Sequence, residues 1–192
     1  MLKKYFDNGV LTEKADNVTP GFIQALSFGL IRYMGNSRDS SSGAERPLSI
    51  LISYDGEKTK EIFNYFADAL ETIGIEVGDA GVLEKKGLEI AFFDLNFDSG
   101  IFISKEKDEI KIEIFERGDD IGGLEASLPG GVNFKGKVKS VPYALPIPQI
   151  AVNHIEHALN TETGFTVMKA ELIRDMRKEA LNCYENYLNK VK

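Results

Sequence analysis

Leu48-Ser49-Ile50-Leu51-Ile52-Ser53-Tyr54-Asp55-Gly56 opens the stretch from which the fold is read. Its apolar density is that of a buried strand, and Asp55-Gly56 is a turn signal that ends it. Beyond the turn, Ile62, Phe63, Phe66, Ala69, Leu70 and Ile73 recur at three- and four-residue steps, the period of one helix face. Gly74 follows where a helix C-terminus favours a residue tolerant of positive φ. Ile75-Glu76-Val77 predicts a second strand, Leu88 to about Phe97 a short apolar helix, and Gly100-Ile101-Phe102-Ile103-Ser104 a third strand. Ile110, Ile112 and Ile114 alternate with Lys111, Glu113 and Phe115, so a fourth strand is expected to return antiparallel at the sheet edge. Strands alternating with helices imply an α/β fold. The expected architecture is a three-layer α/β/α sandwich with a mixed, mostly parallel four-stranded sheet, plus C-terminal helices.

Working outward, Tyr5 to Val18 shows no sustained period and reads as a loop or a short extended lead-in. Thr19-Pro20 is a helix start, with threonine as N-cap and proline at the first helical position; Phe22, Ala25, Leu26, Gly29, Leu30 and Tyr33 share one face behind it. Asn36 to Pro47, rich in serine, reads as a solvated loop. Gly118 to Gly136 reads as turns, because Asp119-Asp120 and Gly122-Gly123 lack the repeated acidic positions of a calcium loop. Lys137-Val138-Lys139 suggests a short edge segment, and Pro142, Pro146 and Pro148 force an extended path. Ile150, His154, Ile155, Ala158 and Leu159 mark a short amphipathic helix. A last helix is expected from about Thr166 to Val191, with an apolar stripe through Ile173, Met176, Ala180, Cys183, Tyr184, Tyr187, Leu188 and Val191.

Composition narrows the function classes. The chain has 192 residues, 43% hydrophobic and 28% charged, enough for one substantial core. No apolar run approaches a membrane span, and Met1-Leu2-Lys3-Lys4-Tyr5-Phe6-Asp7 turns acidic before a signal-peptide apolar region could form. Lone Cys183 excludes an intramolecular disulfide and fits a reducing compartment, so a cytoplasmic location is expected. The formal net charge of −7 argues against nucleic acid and anionic lipid, both of which require a basic footprint. The segment after Thr166 runs against that sign and carries a small positive excess. His154 and His157 stand three apart with no third ligand in sight, and neither G-x-x-x-x-G-K-[ST] nor a strand-borne G-x-G-x-x-G occurs. No metal and no cofactor is therefore expected.

Four runs carry a resemblance. Tyr5-Phe6-Asp7-Asn8-Gly9-Val10-Leu11-Thr12, then Thr19-Pro20, then Ser53-Tyr54-Asp55-Gly56-Glu57, then Ser104-Lys105-Glu106-Lys107-Asp108 follow the order of the motifs in the first domain of the α-D-phosphohexomutases, the phosphoglucomutase and phosphomannomutase family. The resemblance is one of pattern, spans roughly the first three quarters of the chain, and implies a domain I-like α/β/α unit over residues 1–140. Residues 141–192 then form a Pro-rich connection and a C-terminal helical appendage. In that family a phosphoserine carries the transferred group and arginines hold its charge. By the resemblance the phosphoserine position falls on Glu106, with Ser104 two positions away, and the arginine positions fall on Leu11, Tyr54 and Glu57; only Asp55 is shared. A glutamate cannot accept and return a phosphoryl group as a serine ester does, and Glu57 reverses the sign of the residue it replaces. Catalytic residues are therefore expected to be none.

Three functions remain open on these grounds. One is a non-catalytic descendant acting as a binding or regulatory module in carbohydrate metabolism, with a protein partner or a second copy engaged through the last helix. A second is a fragment or subunit of a split phosphoglucomutase/phosphomannomutase, an intramolecular phosphotransferase only when completed by other chains. The third is a sensor of an unphosphorylated sugar, with Tyr54 stacking on an apolar sugar face.

Overall fold

The computed structural model describes residues 4–7, 9–37, 47–117, 144–161, 170 and 173–191. Among them, the strands are β1 (Phe6–Asp7), β2 (Val10–Lys14), β3 (Ser49–Tyr54), β4 (Glu76–Val82), β5 (Ser99–Glu106), β6 (Glu109–Arg117), β7 (Ala144–Pro146) and β8 (Arg174–Asp175). The helices are α1 (Pro20–Ser37), α2 (Glu57–Thr72), α3 (Lys85–Asp94), α4 (Gln149–Thr161) and α5 (Arg177–Val191), with one 3-10 turn at Ala15–Asn17.

The class is mixed α/β as expected, but the sheet has eight strands and not four. Its order is β1-β2-β6-β5-β3-β4-β8, with β7 paired to β6 beyond the end of β2. Only the pairings β3 with β4, β3 with β5 and β4 with β8 are parallel; the other four among the described residues are antiparallel, which corrects the mostly parallel expectation. β6 is interior, flanked by β5 and β2, because the segment expected as a loop or a short extended lead-in supplies two paired strands. Leu11 and Glu13 are the buried positions of β2, and a buried glutamate hides the alternation. Glu13 is tolerated there because its carboxylate accepts from Asn17 Nδ2 at 2.8 Å and from the Lys14 N–H.

β3 is buried along its whole length, as its composition implied. Ile50, Ile52 and Tyr54 point into a core shared with Leu26 and Leu30 of α1, Phe63, Phe66 and Leu70 of α2, and Val152 and Ile155 of α4. Leu51 points the other way, into a second core with Leu88 and Phe92 of α3 and Ala180 of α5. Helices thus cover both faces. α1 starts as read, with Thr19 Oγ1 accepting the Phe22 N–H at 3.2 Å, and α2 ends at Gly74 with φ +81°. β4 runs five residues past the expected Val77, and the last helix begins at Arg177, after the short strand β8. Most of the expected serine-rich loop, the glycine-rich passage at 118–136 and the segment at 137–139 lie outside the described residues.

α4 crosses α1 at Gly29. A Cβ there would lie 2.6 Å from Ile155 Cα and 2.9 Å from the His154 carbonyl oxygen, so only glycine permits this approach. Gly29→Ala is expected to lose stability although alanine is the better helix former. Overpacking against backbone costs roughly 1–3 kcal/mol, and propensity returns about 1 kcal/mol. Urea unfolding is the measurement, and a midpoint at or above that of the parent would refute a close α1–α4 contact.

Candidate functional site

The chain leaves β3 towards α2 on one face and leaves β4 towards α3 on the other. Where two adjacent parallel strands send their connections to opposite faces, a crevice opens outside their carboxyl ends, the usual ligand position of open α/β sheets. Here Tyr54 and Asp55 come from β3 and its turn, Asp79 and Gly81 from β4, Asp175 and Arg177 from β8 and its turn, and Glu57, Thr59 and Lys60 from the start of α2.

Asp55 locks the crevice wall. Its Oδ1 accepts the Thr59 hydroxyl at 2.8 Å and its Oδ2 accepts the Lys105 N–H at 2.8 Å, so one carboxylate joins the first turn of α2 to the end of β5. Thr59 Oγ1 in turn accepts the Gly56 N–H at 3.2 Å. The aspartate shared with the mutase pattern therefore serves here as a bridge between elements.

The floor is acidic and internally compensated. Asp79 is 9% exposed, and its Oδ1 accepts the N–H of Gly81, whose φ is +72° at an irregularity of the β3–β4 register. Arg177 packs its stem on Gly81, donates to both oxygens of Asp175 at 2.8 and 2.6 Å, and stands 3.9 Å from Asp79. Burial pushes the Asp79 carboxyl up from its ordinary value, against the Gly81 bond and Arg177. Asp175, bonded by Arg177, is held down at about 2. The Tyr54 phenol is raised by burial and then by Asp79. These groups make a carboxylate-rich surface whose guanidinium is already engaged, with no nucleophile beside a base.

The residues singled out by resemblance are only partly brought together. Tyr54 and Leu11 face the same core in one cross-strand row, Tyr54–Ile103–Ile112–Leu11, but three strands apart, about 14 Å at ordinary strand spacing. Leu11 is 0% exposed and belongs to the core. Tyr54 is 2% exposed with its ring 5.5 Å from that of Phe63, so it is no stacking platform for a sugar. Glu57 is exposed at the first position of α2, near Lys60. Glu106 lies at the β5–β6 turn, paired with Lys111, which lowers its pKa. Ser104 lies opposite Lys111 in the ladder. His154 and His157 are far along the sequence on α4 and belong to a separate surface. Asp79 and Arg177 were not anticipated. Gly78-Asp79-Ala80-Gly81 has the composition of a turn, and Arg177 meets Asp79 only across 98 residues; the Asp175-x-Arg177 spacing was the available signal.

No protein-family model and no curated protein matches this chain. Among solved structures it is similar to a phosphoglucomutase/phosphomannomutase family protein from Burkholderia thailandensis, at 17% identity and a TM-score of 0.42, over 59% of this chain and 26% of that one. The chain thus matches about a quarter of that protein's length.

The two aspartates oppose each other in acid. A raised folded pKa means that the folded state holds the Asp79 proton more tightly than the unfolded chain, so its contribution falls as pH rises through and above 3.8. A lowered one means that the Asp175 contribution is full above 3.8 and is lost as pH falls towards about 2. Unfolding measured across that range should show a shallower acid loss for Asp175→Asn and a steeper one for Asp79→Asn than for the parent. The Asp175 effect is small because the pair is exposed. Parallel profiles for all three proteins would refute the arrangement.

Proposed function

We propose that this chain is a non-catalytic binding module on a phosphohexomutase-like scaffold, without phosphoryl-transfer chemistry of its own. One observation carries the reading: the strand-end crevice, where a phosphoryl group would be held, presents Glu57, Asp79 and Asp175 around an arginine already bidentate to Asp175. Each carboxylate opposes an incoming phosphate by roughly 1–4 kcal/mol at contact distance, and among the described residues the cations there, Arg177 and Lys60, each already face a carboxylate. The position matched to the phosphoserine, Glu106, is a paired carboxylate in a hairpin turn. Such a crevice suits an uncharged or cationic group and disfavours sugar phosphates.

The test is incubation of the purified chain with magnesium, glucose 1-phosphate and a hexose bisphosphate primer. The expected result is no glucose 6-phosphate above the protein-free blank, no phosphoryl mass increment on the intact protein, and no rise in unfolding midpoint with any hexose phosphate. A ligand at a hundred times its dissociation constant would add about 2.7 kcal/mol and be readily seen. Turnover or covalent phosphate on the chain alone would overturn the proposal.

A further inference from the structure

The strand-end crevice holds a hydroxyl that the fold leaves without a partner. Tyr54 is 2% exposed and its ring is tilted against Phe63, yet its hydroxyl neither donates nor accepts a hydrogen bond among the described residues. The charged groups that bear on this phenol are Asp79, Arg177, Glu57 and Asp175, all of them in the crevice, so the side chain is aimed into it. Buried polar groups in native proteins nearly always have a partner, and an orphan at this position marks a place for a bound group.

Asp79 has spare capacity at the same place. Its Oδ1 accepts the Gly81 N–H at 2.8 Å, while its Oδ2 stands 3.9 Å from Arg177 Nε, beyond hydrogen-bond reach. The two cations of the crevice are paired with other carboxylates, Arg177 at 2.6 Å from Asp175 and Lys60 at 3.8 Å from Glu57. The nine-tenths buried Asp79 carboxylate is thereby left in excess. Val82 lies opposite Tyr54 in the β3–β4 ladder and is 62% exposed. Cross-strand neighbours share a face of the sheet, so an apolar surface adjoins the two polar groups.

We propose, on the reading of the chain as a binding module, that this crevice receives a small primary amine. The ammonium donates to Asp79 Oδ2 and to the Tyr54 hydroxyl oxygen, and the carbon chain of the ligand lies on Val82. A buried carboxylate in excess is best met by an opposite charge that also donates hydrogen bonds. A neutral hydroxyl supplies the hydrogen bonds without the charge, and a quaternary ammonium the charge without the hydrogen bonds. A metal ion is disfavoured, because no group of three ligating side chains occurs among the described residues.

The full chain is titrated by calorimetry with n-butylammonium, tetramethylammonium and n-butanol at about pH 8, where amines are protonated and carboxylates ionised. Ionic strength is held with sodium chloride throughout. Saturable binding is expected for n-butylammonium, and roughly tenfold or more weaker binding for the other two. Tyr54→Phe keeps the ring on Phe63 and removes only the hydroxyl; it should weaken n-butylammonium binding by about threefold to tenfold. Asp79→Asn keeps the shape and removes the charge, and should weaken it by about tenfold or more. No saturable binding of the amine, n-butanol binding as tightly as n-butylammonium, or an affinity unchanged in Tyr54→Phe would overturn the proposal. None of those results bears on phosphoryl transfer, which the glucose 1-phosphate assay decides separately.

Discussion

The structure depends on one strand having no face open to water. Ser49–Tyr54 is buried at all six positions, with Ile50, Ile52 and Tyr54 on one side and Leu51 on the other. Burying a single branched aliphatic side chain is worth about 1.5–3 kcal/mol, so leaving either face of this strand uncovered would remove several such contributions at once. Both faces must therefore carry helices, and the short connections around β3 divide the work, with α2 on one face and α3 on the other. The crevice at the carboxyl ends of β3 and β4 is a by-product of that division. Its position follows from burial before any functional side chain is considered.

Periodicity revealed the elements that bury a continuous apolar face and missed those that do not. Ile110, Ile112 and Ile114 announced β6 correctly, yet its interior place depends on β2, where a buried Glu13 interrupts the apolar alternation. β4 was read as three residues because Gly78 and Gly81 have the signature of a turn. In the sheet Gly78 makes room for Phe97 and Leu51, and Gly81 for the stem of Arg177. Gly29 appeared in the apolar stripe of α1 as a packing residue, and it is one, though the sequence could not say that its neighbour is the backbone of α4. Glycines are read locally as freedom of the chain, whereas here three of them record close approach by something distant.

The same limit applies to the site. The resemblance to the mutase pattern located Asp55 and Tyr54 at a strand end, and both are there, but their surroundings change what they do. Asp55 joins α2 to β5 through Thr59 and Lys105, a role that requires a hydrogen-bonding carboxylate and no ligand. Tyr54 lies on Phe63, with its phenol in the field of Asp79. Asp79 itself is held by Gly81 and approached by Arg177, a partner that no spacing rule connects to it. Compensation of one buried carboxylate by an arginine from the far end of the chain is a tertiary fact, invisible to any local window.

Net charge and local charge both bear on a ligand, and distance decides which governs. At physiological ionic strength the screening length is about 8 Å, so the −7 of the whole chain acts weakly on a ligand already seated in a cleft. What the ligand meets is the lining. In the strand-end crevice that lining is carboxylate with its arginine engaged, and an anion would displace an existing bidentate pair without gaining a free cation.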